Sequence, residues 1–484
     1  MGKQKVSRRE FLQLSALTAG GAILAGCAPQ ATPAPEEAAE EPEVAEEAPA
    51  AEMVELDAMS LAEYEGPYRE IWNVFNATHE GIKMNVFSIN EDTAAAHEAK
   101  VAGGYLPAIS LTQEMQIFFD SNNYEMAVDL SSFDFPWWDR FTVDFKNAWP
   151  DLYDLSGPRS LDPLQGYVFT WQYNADLMNE AGLDPQNDVK SWDDMKKWLD
   201  QGTKWAESRD DVDYFWNQAW HNWVFWHYAE MWPLAWEDGS RERQKACYLG
   251  EAKFNADDSP FRHTFEWYKE AYDNGWLPES FWTRLWEGDM EASYIAGKSV
   301  MMIHGPWVWD KALAAGSTFE QAGLPSTPPA GGGPWRQYAA PPNIDNQWFM
   351  RAGNKDRPEW PQVMEAWNWF FSPEAIEMRA SAEGRKPLYN FDEPIDVKGP
   401  QYQALIKEIG AEGGQWADGE WVEGITGAVL AGPHRKKGSK GVWDWESNGN
   451  NKLFADLMTE KITVQDALDW LQSNWDESFE GLPE

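Results

Sequence analysis

Basic residues are scarce: 39 lysines and arginines stand against 80 aspartates and glutamates, a formal net charge of −41 at pH 7. A chain so acidic repels phosphate backbones, which excludes nucleic acid as a partner. Cysteine is almost absent, with Cys27 and Cys247 the only two. Cys27 lies in an N-terminal signal, so no disulfide framework is available within one chain, and Cys247 reads as a small buried hydrophobe. Gly331-Gly332-Gly333 lacks the Lys-Ser/Thr of a phosphate cradle and reads as a linker between lobes. Calcium loops of the Asp-x-Asp-x-Asp-Gly kind are missing. His227 and Glu230, three residues apart, suit one helical face, but no third ligand or zinc-protease spacing accompanies them. No metal and no cofactor is therefore expected.

Tryptophan is the opposite case, with 31 residues in 484. That length exceeds one ordinary core and predicts two lobes. The N-terminus has a basic start, an apolar segment from Phe11 to Leu24 and small residues before Cys27, the layout of an export signal. Ser7-Arg8-Arg9-Glu10-Phe11-Leu12 resembles the twin-arginine signal, with Gln13 where lysine is usual. Leu24-Ala25-Gly26-Cys27 resembles a lipobox, which makes Cys27 the lipidated first residue of the mature chain. The apolar segment is short for a membrane span, and more than one acyl chain would hold the protein firmly at a membrane. Residues 28–52 are mostly Ala, Pro and Glu with no basic residue, and predict a disordered, extended tether.

From Met53 the pattern is strand–helix–strand. Val54 to Met59 suits a strand. Tyr68, Ile71, Trp72 and Phe75 follow Gly66-Pro67 at helical spacing, His79-Glu80-Gly81 ends that helix, and Ile82 to Ile89 alternates. This spacing points to parallel α/β architecture. Thr112, Gln113 and Glu114 follow a further strand, at the carboxyl end where α/β crevices hold ligands. Ser191 is a good N-cap, and Asp194 completes a capping box. Trp216, Trp220, Trp223 and Trp226 recur every three or four residues and predict one stripe on a helix. Val300 to Ile303 reads as a short buried strand that Gly305-Pro306 stops, leaving Trp307 at its end.

The segment Gly297–Ala312, GKSVMMIHGPWVWDKA, resembles the Gly-x-x-x-Met-x-Ile-x-Gly-x-Trp pattern of extracellular solute-binding proteins of the maltodextrin-binding type. Other stretches agree in order. AGGYLPAISLTQ is similar to the family's Gly-x-x-Pro-Asp-Ile-Ile segment, with Ala108 replacing aspartate, and Met126–Phe133 is similar to its Leu-x-Asp-Leu-Ser stretch. Tyr173-Asn174, Asp176-Leu177, Ala181-Gly182 and Ser191-Trp192-Asp193-Asp194 match in place. So do FEWYKEAYDNGWLPES, Gln347-Trp348-Phe349-Met350, the Ser-Pro-Glu helix pair that ends in Gly-x-x-Pro, and the closing helix KITVQDALDWLQSNWDE.

The resemblance implies an α/β fold of the two-lobed periplasmic-binding-protein type (type II), with a ligand cleft between lobes joined by a hinge. It implies lobe 1 over 53–166 and 340–390 and lobe 2 over 167–339 and 391–484. It further implies a non-enzymatic monomer, lipid-anchored outside the cytoplasm, that passes a carbohydrate to the permease of an ABC transporter. Trp307 matches the tryptophan that stacks on sugar. Trp309, Trp220, Trp223, His221, Trp171, Trp348, Trp443 and Trp445 are the further aromatic candidates. Thr112, Gln113 and Glu114 join them, and Arg385 is expected to face the cleft or pin the hinge. Two other classes fit the composition: a receptor for a cationic solute such as a betaine or polyamine, caged by aromatic and acidic residues, and an extracellular glycoside hydrolase with paired carboxylates.

Overall fold

The computed structural model describes residues 53–61, 65–89, 99–111, 126–142, 157–164, 169–220, 225–236, 240–248, 250–305, 307–333, 335–339, 348–383, 385, 387–393, 395, 420–423 and 450–477. It opens with β1 (Val54–Leu61), α1 (Glu65–Thr78) and β2 (Ile82–Ile89). β1 and β2 pair in parallel, from Val54 opposite Ile82 to Leu61 opposite Ile89. α1 packs because Tyr68, Ile71, Trp72 and Phe75 fall on one face, and all four are buried. Gly81, at φ 83°, makes the left-handed turn into β2 that a side chain would oppose. β3 (Ser110–Leu111) continues this layer, with Met59 N–H donating to the Ile109 carbonyl at 2.9 Å.

The second body of the chain contains β4 (Thr170–Asn174), α2 (Trp192–Glu207), β5 (Tyr214–Trp216), α3 (Phe225–Met231), α4 (Arg262–Asp273), β6 (Ser299–His304), α5 (Trp307–Ala314) and β7 (Gln321–Leu324). Its sheet runs β5-β6-β4-β7, parallel between β5 and β6 and antiparallel at the other two pairings. Every residue of β4 and β6 is buried, as strands covered on both faces must be. The capping box forms as read: Asp194 N–H donates to Ser191 Oγ at 3.3 Å, and the Ser191 hydroxyl donates to the Asp194 carboxylate at 2.9 Å.

The tryptophan stripe does not form on one helix. Trp216 ends β5, where it pairs with Met301 of β6, and Trp220 N–H donates to the Phe281 carbonyl at 2.9 Å. Those backbone partners hold Trp216 in strand and Trp220 in loop, and neither lies on α3. The indoles pack instead from separate elements: Trp192 on Trp267 at 4.4 Å and Trp171 on Trp216 at 4.9 Å between ring centroids.

β8 (Arg336–Ala339) is followed by β9 (Trp348–Phe349), which pairs antiparallel with β3 and returns the chain to the first core. α6 (Trp360–Phe370) and α7 (Pro373–Glu383) complete that core, with Phe370 stacked on Trp72 at 5.1 Å. β10 (Glu420–Glu423) pairs with β8, and α8 (Asn450–Met458) and α9 (Val464–Glu477) pack on the second core. Residues 56–164 with 348–389 supply the first core, and 169–335 with 453–475 the second. Cys247 is buried and unpaired, as its composition reading predicts. Among the described residues, no helix is long and apolar enough to cross a membrane.

One ionic cluster lies inside the first core. Asp162 accepts from Arg385 at 2.5 Å and from Arg379 at 3.2 Å, and Arg385 also donates to Glu383 at 2.8 Å. The Tyr68 hydroxyl of α1 donates to Glu383, and the Arg379 guanidinium stacks 4.3 Å from Phe370. None of these side chains is more than 3% exposed. Arg385 is thus enclosed with two carboxylates and does not face a cleft. Breaking such a buried set leaves an uncompensated charge, so Asp162→Ala should cost about 3–5 kcal/mol of stability. Urea unfolding checks this, and the Asp162→Ala/Arg385→Ala double replacement should cost less than the two singles combined.

Candidate ligand-binding site

The candidate site begins where β6 ends. His304 pairs with Thr170 of β4, and Gln172 of β4 donates to the His304 carbonyl at 2.9 Å. This fixes the strand end rigidly. Gly305 then passes beneath the indole of Trp307, and a Cβ at Gly305 would come within 1.8 Å of that ring. Glycine is required here by close approach, because the side chain folds back over the backbone. Trp307 starts α5 half-buried, with Phe169 edge-on at 6.1 Å and its indole N–H directed at His304 Nε2, 3.0 Å away.

Behind the indole lies a buried charge network. His304 is fully buried, and its Nε2 stands 2.6 Å from Glu291 Oε1. Lys311 of α5 reaches the same carboxylate at 2.9 and 3.2 Å and Glu287 at 3.2 Å. Burial alone would push the Glu291 carboxyl up, but His304 and Lys311 outweigh it and bring it to about 2. Burial also holds the His304 imidazole below its ordinary value, against the pull of Glu291. The pair is therefore a carboxylate facing a neutral imidazole.

Sequence reading missed Trp286. It opens a π-helical turn, Trp286–Glu291, and its half-buried indole sits edge-on to His304 at 4.3 Å. Such turns recur at functional sites. The only signal available was an aromatic flanked by exposed Leu285 and acidic residues, with no period to mark it.

The other candidates divide into two groups. Trp309 is buried against Met290, Tyr294 and Met302, because two helical residues turn the chain through about 200° and set it opposite Trp307. Trp171 is fully buried and donates to the Ser326 carbonyl at 2.9 Å. Trp220 is enclosed by Phe454 at 4.0 Å and Tyr268 at 5.2 Å, and Trp348 stacks on Tyr68 at 5.0 Å in the first core. These four are core side chains in this structure, a correction to their reading as ligand platforms, and the cleft-facing reading of Arg385 is corrected with them by its place in the ionic cluster. Trp223, His221, Trp443, Trp445, Thr112, Gln113, Glu114, Cys27, Arg8 and Arg9 lie outside the described residues, as does the side chain of His227. No group of three or more histidine, cysteine or acidic side chains suited to a metal occurs among the described residues.

Residues 70–388 match the profile of the bacterial extracellular solute-binding proteins. No curated protein sequence matches the chain. Among solved structures, the fold is similar to a sugar transporter of Bacillus licheniformis in complex with stachyose, at 15% identity and TM-score 0.59, covering 88% of this chain and 100% of that one. RafE of Streptococcus pneumoniae, without ligand, is similar at 14% identity and TM-score 0.55, covering 88% and 99%. An ABC substrate-binding protein of Listeria monocytogenes in complex with cycloalternan is similar at 16% identity and TM-score 0.59, covering 88% and 99%. These likenesses establish the two-lobed α/β solute-binding fold.

Two outcomes follow for the site itself. Gly305→Ala should force the Trp307 ring off its seat, at a cost of about 1–3 kcal/mol, with a changed near-UV circular dichroism band as the check. The unfolded chain protonates His304 near pH 6.5 while the folded chain resists it, so its contribution to stability is present above that pH and is lost as pH falls. Glu291 remains ionised across that window. The stability gap between wild type and His304→Gln in urea should therefore narrow on going from neutral pH to about pH 5.5.

Proposed function

The chain belongs to the bacterial extracellular solute-binding protein family, and from that premise we propose that it captures a carbohydrate between its lobes and delivers it to an ABC importer. The observation that carries this reading is the half-buried Trp307 indole, held at a rigid strand end while Trp171, Trp220 and Trp309 are enclosed. An indole face packs on the C–H patches of a sugar. Burying one large aromatic is worth about 1.5–3 kcal/mol, so two platforms contribute a large part of the roughly 8 kcal/mol of micromolar binding. Trp286 is the second platform in this reading. Sugar hydroxyls pair with acidic and amide side chains, in which the chain is rich.

The saccharides bound by structural neighbours, among them stachyose, raffinose and cycloalternan, support an oligosaccharide as the cargo class. Ligand-driven closure of the two lobes would present both to the permease. The N-terminal signal supports twin-arginine export through Arg8 and Arg9 and lipidation at Cys27, with residues 28–52 as the tether to the membrane surface. The protein performs no covalent chemistry in this reading and acts as a monomer.

A thermal-shift screen tests it. A bound saccharide stabilises the native state by about 2.7 kcal/mol at a hundredfold excess over Kd, so stachyose, raffinose or another oligosaccharide should raise the melting temperature and be recovered intact. Response to betaines or polyamines alone, or cleavage of the sugar, would sink the proposal. Trp307→Ala should weaken saccharide binding far more than it lowers the unliganded melting temperature; equal losses would return Trp307 to the core.

A further inference from the structure

Two half-buried indoles abut one buried imidazole. Trp286 and Trp307 each meet His304 edge-on, at 4.3 and 4.8 Å between centroids, so neither can shift toward the strand end without displacing that ring. The ring is itself fixed. Its Nε2 is approached by both the Glu291 carboxylate at 2.6 Å and the Trp307 indole N–H at 3.0 Å. One nitrogen offers one proton or one lone pair. Facing an ionised carboxylate, it must carry the proton, so Glu291 sets the tautomer. Nδ1 is then a bare acceptor, and it has no hydrogen-bond partner among the described residues.

We propose that His304 is a positioning residue of the saccharide face: Glu291 fixes its proton on Nε2 and its ring plane, and that ring sets where Trp286 and Trp307 stand. This rests on the reading of Trp307 as a saccharide platform. Burial excludes direct contact between His304 or Glu291 and a ligand in this conformation. Glu291 also holds Lys311, one turn beyond Trp307 on α5, so a single carboxylate ties the strand end, the helix carrying one indole and the π turn carrying the other. The charged groups around the imidazole are Glu287 and Glu291 from that turn and Lys311 from α5, while β4 brings only Thr170 and Gln172. A second proton on His304 would occupy Nδ1, which has no acceptor, and the packing around both indoles would have to open.

The test uses the mature chain and its His304→Leu, His304→Gln and Glu291→Gln variants, titrated calorimetrically with stachyose and raffinose at neutral pH and about pH 5.5. Long-range ¹H–¹⁵N spectra of histidine-labelled protein read the tautomer, with His304→Gln supplying the assignment among the 7 histidines. Wild type should show the proton on Nε2 at both pH values, because the folded chain resists a second one. His304→Leu should lose roughly tenfold or more in affinity, and His304→Gln, which keeps one donor toward Glu291, should recover most of it. Glu291→Gln should disturb the tautomer and weaken binding even if His304→Leu fails to fold. Unchanged affinity in His304→Leu, or a wild-type proton on Nδ1, would overturn the proposal. If wild type binds no saccharide, the functional reading fails separately, and a tautomer unmoved by Glu291→Gln still decides against positioning.

Discussion

A sheet whose central strands expose nothing must be covered on both faces, and in the second core indoles make up much of the packing. β4 and β6 are buried at every residue. Trp171 and Trp216 come from the sheet itself, Trp192 and Trp198 from α2, Trp232 from the turn after α3, and Trp267 from α4. Large rigid rings fill wide gaps between elements with few side chains and little rotamer entropy to lose. The rigidity of the β6 end follows from this enclosure. A binding platform at that end inherits a fixed position because the strand behind it has nowhere to go.

The elements with a clean local period were legible in the residues alone. α1 shows its four inward side chains at helical spacing, β2 begins with the alternation Ile82, Met84 inward, and the Ser191 cap is chemical and local. The site was harder to read because an aromatic looks alike in sequence whether enclosed or open. Trp307 and Trp309 differ by two residues and face opposite sides of one helix. Trp216 and Trp220 looked like part of a helical stripe because their spacing was right, but long-range pairing of Trp216 to β6 and of Trp220 to Phe281 decided their backbones. Trp286 carried no periodic signal; only the π turn and the proximity of His304 mark it.

Charge is handled differently in the two cores. The first encloses two guanidinium and two carboxyl groups held by mutual hydrogen bonds, one phenol and an aromatic face. The network behind Trp307 is smaller and asymmetric, with a carboxylate shared by a neutral imidazole and an ammonium that is itself partly open to water. The first arrangement locks α1, α7 and the 161–164 segment together. The second leaves one face of its neighbourhood accessible, as a site must.

The dense packing of indoles has an optical consequence. Trp192 and Trp267, Trp171 and Trp216, and Trp216 and Trp267 lie within 4.4 to 5.9 Å of each other, centre to centre. Rings this close exchange excitation and couple their transitions, so light absorbed anywhere in the cluster is emitted by its lowest-energy members. Emission from this cluster is therefore a signal of the interior. A ligand settling on one rim indole would perturb one emitter among 31, and an optical sensor built on this protein would gain contrast from a dye placed beside Trp307.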